Sequence, residues 1–150
     1  MNLSTNFTLD ALTHSQTALR QGIDNSADPA TVDRLTHLCV GLLEPARRLL
    51  GVPIQIDSGF RCLQLNRAVG GSATSAHCYG CAADLIPQGM DLRQAFDMLR
   101  HSELPYDQII LECNAWIHLA LPRPGAVARK MALTAAGGPG RWTYSEVHDA

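Results

Sequence analysis

From Asp28 to Gly51 the apolar side chains fall at Val32, Leu35, Leu38, Cys39, Leu42, Leu43, Ala46, Leu49 and Leu50. Spacings of three and four predict a helix with one buried face. Asp28 suits the N-cap, and Pro29 suits the first helical position, where an N–H is not needed. Gly51 is a natural stop. Pro45 lies inside the pattern. It lacks the N–H that a helix interior requires and crowds the carbonyl four residues back, so the helix should kink or divide there. An earlier stretch, "LDALTHSQTALRQG", is headed by Thr8 and reads as one helix ending near Gly22.

After Gly51 the period shortens. "PIQIDSGF" alternates Ile54 and Ile56 and predicts a strand. "CLQLNRAVGG" predicts a short helix closed by Gly70 and Gly71, and "GSATSAHCYGC" a loop of small and polar residues. "AADLI" predicts a short apolar strand. "DLRQAFDMLRHS" predicts an amphipathic helix capped by Asp91, with Leu92, Ala95, Phe96 and Leu99 on one face. "YDQIILECNAWIHLAL" predicts two strands joined around Cys113 and Asn114. Beyond about residue 122 the chain, including "AAGGPGRW", is expected to be irregular. Helices first, then strands mixed with one more helix, predict an α+β fold: a small antiparallel sheet with N-terminal helices packed against it.

The 150 residues fit one domain, 1–150. A net charge of −2 and no basic stripe exclude a nucleic-acid surface from the expectation. "MNLSTNFTLD" has neither a basic region nor an apolar core, and no window is long and apolar enough to span a membrane. The chain is therefore expected to be made as a soluble cytoplasmic protein and to be monomeric. If its substrate lies outside, something else must release it. The five cysteines are odd in number, which argues against a disulfide framework.

Within "SAHCYGCAAD", His77 and Asp84 stand seven positions apart around Gly80, which permits the bend that would let both meet one point. An imidazole and a carboxylate suit Zn²⁺ but need a third ligand. His118, on a strand, is the best candidate. Two His and one Asp would leave a position for water, as at a catalytic zinc. The plainer alternative has His77 capping the loop, Asp84 paired with an arginine, and His118 exposed.

"SAHCYGCAADL" resembles the Ser-x-His-x-x-Gly-x-Ala-x-Asp motif of the zinc D-Ala-D-Ala carboxypeptidases. Their superfamily includes lysostaphin-like enzymes and the hedgehog signalling domain. "IDSGFRCLQLNRAVGGSATS" resembles the family's Ser-Gly-Phe/Tyr-Arg and Leu-Asn-x-x-Val-Gly-Gly-Ser elements, and "DQIILECNAWIHLAL" its closing Trp-x-His strand. The N-terminal "FTLDALTHSQTALRQGIDN" is similar to a phage and bacterial subgroup of cell-wall-lytic peptidases. The resemblance spans roughly residues 7 to 121. It implies a hedgehog/D-Ala-D-Ala-peptidase-like fold, with His77, Asp84 and His118 as zinc ligands. It also implies that Arg61 holds a substrate carboxylate, with Ser75 hydrogen-bonding near the same end. A guanidinium suits that task because it binds carboxylate bidentately and keeps its charge. A surface arginine and a loop-stabilising hydroxyl are the plain alternatives for these two.

The general base departs from the pattern. Many members place a glutamate three residues before the last histidine ligand, where this chain has Ala115. The nearest acid is Glu112, where the phage and bacterial subgroup is similar. A two-residue loop at Cys113-Asn114 would pair Glu112 with Ala115 and turn Glu112 away from His118. A three-residue loop would pair Glu112 with Trp116 and Ile110 with His118, on one face. The three-residue register, with Glu112 as base, is the expectation, and Asp107 is the fallback. Trp116 either walls the site or is ordinary core.

Cys78 and Cys81 have the spacing of half a structural zinc site, but no second Cys-x-x-Cys exists, so they are expected to be small packing residues. A Cys62–Cys78 disulfide is left open. His14, His37, His101 and His148 are expected on the surface or on helices. The resemblance implies a zinc metallopeptidase acting on peptidoglycan stem peptides, either D-Ala-D-Ala carboxypeptidase-like or a murein endopeptidase. A phage endolysin is one form of this, with no nucleic-acid or membrane partner. The alternative is a catalytically inactive zinc-binding module of the same fold.

Overall fold

The computed structural model describes residues 1–149. Helices α1 (Leu9–Thr13), α2 (Gln16–Gln21), α3 (Pro29–Leu38) and α4 (Glu44–Leu50) come first. Strand β1 (Ile54–Ser58), helix α5 (Leu63–Ala68), strand β2 (Ala82–Pro87) and helix α6 (Leu92–Arg100) follow. Strands β3 (Gln108–Glu112), β4 (Trp116–Ala120), β5 (Met131–Ala136) and β6 (Thr143–Glu146) complete the chain. No described helix is long and apolar enough to cross a membrane.

Asp28 caps α3 by accepting from the Thr31 N–H, with Pro29 in the first turn. The long helix does divide before Pro45. Residues Cys39–Leu43 form a π-helical turn, in which the Glu44 N–H reaches back five residues to the Cys39 carbonyl. Pro45 has no N–H to offer Gly41, and the widened turn carries the chain past it into α4. The single helix expected over residues 9–22 is instead two. His14 and Ser15 are extended, and the Ser15 hydroxyl accepts from the Ala18 N–H to start α2 afresh. A serine offers the backbone that local alternative, which breaks a helix as readily as it caps one.

The strands form one six-stranded sheet in the order β1-β2-β4-β3-β5-β6. Every pairing is antiparallel except β3 with β5, which is parallel. The expected small antiparallel sheet is thus the β1–β4 part of a larger, mixed one. The tail expected to be irregular after about residue 122 supplies β5 and β6 and extends the sheet at the β3 side.

Side chains alternate across the strands. One face carries Ala83, Leu85, Ile109, Leu111, Ile117 and Leu119. All are buried in the main core, with Leu12 of α1, Leu35 and Leu38 of α3, Ala46 of α4, and Phe96 and Leu99 of α6. Full burial of one such large side chain stabilises by about 1.5–3 kcal/mol. The other face carries Ser58, Asp84, His118, Ile110 and Glu112, and no helix covers it in the same way.

Candidate active site

The uncovered face floors an open cleft of about 1220 Å³. Antiparallel pairing sets Ser58 opposite Asp84 and Asp84 opposite His118. The next pairing sets Ile110 opposite His118 and Glu112 opposite Trp116. These side chains form neighbouring rungs on one face. The β3–β4 loop is the three-residue one. Cys113 and Asn114 both take φ near +52, which turns the chain within Cys113–Ala115 and fixes the register. Glu112 therefore lines the same cleft as His118, and not the core.

His77 reaches this face from a one-turn helix, Ala76–Tyr79, capped by Ser75 and closed by Gly80. Its Nδ1 lies 2.7 Å from the Gly59 carbonyl, to which it donates. That bond fixes the tautomer and leaves the Nε2 lone pair free. Gly59 is held in turn by α1. The Phe60 N–H donates to the Leu12 carbonyl at 2.7 Å, and a Cβ on Gly59 would collide with that carbonyl. Only glycine permits this approach.

His77 Nε2, His118 Nδ1 and Asp84 Oδ1 form a triangle with every edge 3.2 Å. Two imidazole nitrogens and a carboxylate oxygen packed this closely repel unless a cation or a shared proton lies among them. Ligand atoms bound at about 2.0–2.1 Å to one tetrahedral ion are about 3.3 Å apart, so the triangle fits an ion such as Zn²⁺. The three side chains are nearly inaccessible, at 3%, 9% and 2% exposure for His77, His118 and Asp84. Among the described residues this is the one cluster of His, Cys, Asp or Glu that could hold a metal. Burial lowers the pKa of His77, outweighing the nearby Asp84 carboxylate, and so favours the neutral, ligating imidazole. Burial alone would raise the pKa of Asp84. The flanking imidazoles of His77 and His118 outweigh it and hold the carboxyl below its ordinary range.

The plain alternative for Asp84 is present as well. Its Oδ2 accepts from Arg61 at 3.2 Å, while Oδ1 belongs to the triangle. The Arg61 guanidinium also donates to Ser58 Oγ at 3.0 Å and to Asn66 Oδ1 at 3.3 Å. Three of its five N–H groups are used, so two remain for a ligand in the cleft. Ser75 accepts from the His77 N–H at 3.2 Å, the loop-stabilising role, and its own O–H is still able to donate. Both residues line the cleft.

Glu112 Oε2 accepts from the Trp116 indole N–H at 2.9 Å. Burial, and then the Asp84 charge, raise the Glu112 pKa. His118, the Trp116 bond and Arg61 offset this only in part. Trp116 is thus half-buried in the cleft wall with its polar edge on Glu112. Asp107, the fallback, is engaged elsewhere. Arg129 donates to it from Nε at 3.0 Å and from a terminal nitrogen at 2.8 Å, which lowers its pKa.

All five cysteines are free, Cys62 and Cys78 among them, and none belongs to the triangle. Cys62 caps α5 by accepting from the Leu65 N–H, Cys81 is buried, and burial pushes the Cys39 thiol up to about 12. His14, His37, His101 and His148 are exposed.

Sequence reasoning did not single out Ser58 and Asn66, which orient Arg61. Asn66 is 1% exposed, and its amide donates to the Ser72 carbonyl at 2.7 Å. A Cβ on Gly71 would overlap Asn66 Oδ1, so the glycine that ends this element makes room for the amide. An asparagine followed by paired glycines was the available signal. The tail residues Trp142, Tyr144 and Glu146 also line the cleft, and their period of two was a strand signal.

A family model described as Peptidase M15 matches residues 5–120. That segment contains His77, Asp84, His118, Glu112, Arg61 and Ser75. A search of the curated proteins gives no match.

Proposed function

The chain belongs to the peptidase M15 family, and on that premise we propose that it is a zinc-dependent hydrolase of peptide bonds in peptidoglycan stem peptides. The observation that carries this reading is the buried triangle of His77 Nε2, Asp84 Oδ1 and His118 Nδ1, with edges of 3.2 Å, on the same sheet face as an acidic side chain. Zn²⁺ held by these three residues would supply Lewis acidity, polarising a carbonyl and making water more acidic.

Glu112 is the proposed general base. Its pKa lies above the ordinary carboxylate value, closer to neutrality, where a base works best. The Trp116 N–H holds Oε2, so Oε1 is free to take a proton from the attacking water and return it to the leaving amine. Arg61 is the proposed carboxylate anchor, using the two N–H groups left after Ser58, Asn66 and Asp84 are served. Ser75 would donate its O–H beside it. A fixed anchor for a free carboxylate favours cleavage next to a D-Ala terminus. Release from a phage-infected cell is the setting proposed for a chain with this substrate.

Digestion of purified muropeptides by the zinc-loaded protein, followed by mass spectrometry, tests the proposal. Release of D-Ala or of new amines is expected, and Glu112→Ala should abolish it while the metal is retained. A wild-type protein that holds zinc but cleaves no muropeptide at any pH would instead be a binding module of the same fold.

A further inference from the structure

The matched segment ends at residue 120, but the cleft does not. In the parallel β3–β5 pair Glu112 is opposite Ala135, and in the β5–β6 pair Ala135 is opposite Tyr144. Glu112, Ala135 and Tyr144 therefore share one rung and one face. Two interstrand spacings of about 4.8 Å put the Tyr144 backbone roughly 10 Å from that of Glu112. Ala135, between them, is small and buried, at 6% exposure. The rung carries a carboxylate at one end and a phenol at the other, and both line the cleft.

The β5–β6 connection is fastened at three points. Trp142 packs against Ile110, Leu133 and Ala135 on the sheet face. Pro139 fills the space that a Cβ at Gly70 would need, so the turn abuts the loop beside Asn66. The Cys113 thiol donates to the Gly137 carbonyl at 3.4 Å, tying the turn to the β3–β4 loop. The turn thus touches both loops that bound the site.

We infer that the C-terminal hairpin is part of the substrate cleft, and that Tyr144 contacts the bound peptide along the same rung as Glu112. Tyr144 is 51% exposed and lines the cleft, so about half of its surface is open to a ligand there. Burial raises its pKa, and the Glu112 and Asp84 charges push the same way, so the phenol stays a neutral donor near neutral pH. A neutral phenol there offers a hydrogen bond to a peptide carbonyl and a ring edge to an alkyl side chain. The inference rests on the peptidase reading and adds to it a substrate contact from outside the matched segment.

The test uses the full chain loaded with Zn²⁺, and muropeptides ending in D-Ala-D-Ala as the probe. Tyr144→Ala should raise KM at least fivefold with kcat within threefold of wild type. Tyr144→Phe should show a smaller rise that isolates the hydroxyl. In a Glu112→Gln background, which binds without cleaving, the Kd measured by calorimetry should weaken by the same factor when Tyr144 is removed. Zinc content and melting temperature should not change. If Tyr144→Ala loses metal or unfolds, Tyr144→Phe decides, and an unaltered KM and Kd there overturn the inference. Equal KM and Kd in both variants overturn it outright. A wild type that neither cleaves nor binds the muropeptides defeats the peptidase reading itself and takes the inference with it. That failure is visible before any variant is compared.

Discussion

The two faces of the sheet are made from alternate residues of the same strands, yet they obey opposite rules. In β4, Ile117 and Leu119 are fully buried beneath the helices, while Trp116 and His118, which alternate with them, face the cleft. The core face is apolar and close-packed, so its tolerance is set by volume. The cleft face gathers two imidazoles, two carboxylates and a guanidinium in one patch. Electrostatics decide there, and that face should give up stability for chemistry. Substitutions one residue apart on one strand should therefore fail in different ways.

The largest expected effect on the cleft face is His118→Ala. Metal should no longer be retained and hydrolysis should fall to background, both read from metal analysis and a turnover assay. The melting temperature of the metal-free protein should move by only a few degrees. Next, Glu112→Gln should lower kcat by about 10²–10⁴ with metal content unchanged, the range for a lost acid–base group. On the core face, Leu119→Ala should cost about 2–5 kcal/mol in denaturant unfolding while leaving the kcat of the folded fraction near wild type. If Leu119→Ala removes activity without affecting stability, the division between the faces is wrong.

Two smaller effects sharpen it. Trp116→Phe keeps the ring and removes the N–H donor to Glu112. The loss of one bond to a charged group, about 1.5–3 kcal/mol, should reduce kcat roughly tenfold or more and shift the acidic limb of the pH profile. The smallest effect concerns stability alone. The folded-state pKa of Glu112 is raised, so in the metal-free protein the folded chain binds its proton more tightly than the unfolded chain does. Its contribution is fully present below the unfolded carboxylate value and is lost as pH rises through the folded one. Glu112→Gln should accordingly raise the melting temperature of the metal-free protein at neutral pH, with the difference shrinking as the pH falls below the ordinary carboxylate range. No gain at neutral pH would mean that Glu112 is not destabilised by its place on this face.

Features governed by short-range rules were legible in the sequence. The Asp28-Pro29 start, the division before Pro45 and the Asp91 cap each depend on a few adjacent residues. The β3–β4 register was legible because side-chain parity ties Glu112 to His118 once the loop length is chosen. The break at His14 and Ser15 was hidden because the apolar spacing runs through it, and a serine hydroxyl decided the matter. The tail was hidden for a different reason. β5 is rich in alanine, its turn is rich in glycine, and its pairing with β3 is parallel and remote in sequence, so no local pattern announces β5, and only the period of two at Trp142, Tyr144 and Glu146 marks the strand after it. In the site, the residue types of the triangle were legible from motif spacing. What orients them was not: the Gly59 carbonyl on His77 and the Ser58 and Asn66 bonds to Arg61 are contacts between distant segments.

The loop Cys113–Ala115 has a consequence for insertions and deletions. Loops on the far side of the sheet, such as the connection between β4 and β5, can gain or lose residues without altering which way any strand residue faces. Losing one residue from Cys113–Ala115 would instead reverse the parity of one strand against the other. Glu112 would then exchange places with a leucine, and a carboxylate would enter the helix-covered core. Length variation among homologous chains should be tolerated almost anywhere along this sheet edge before it is tolerated in these three residues.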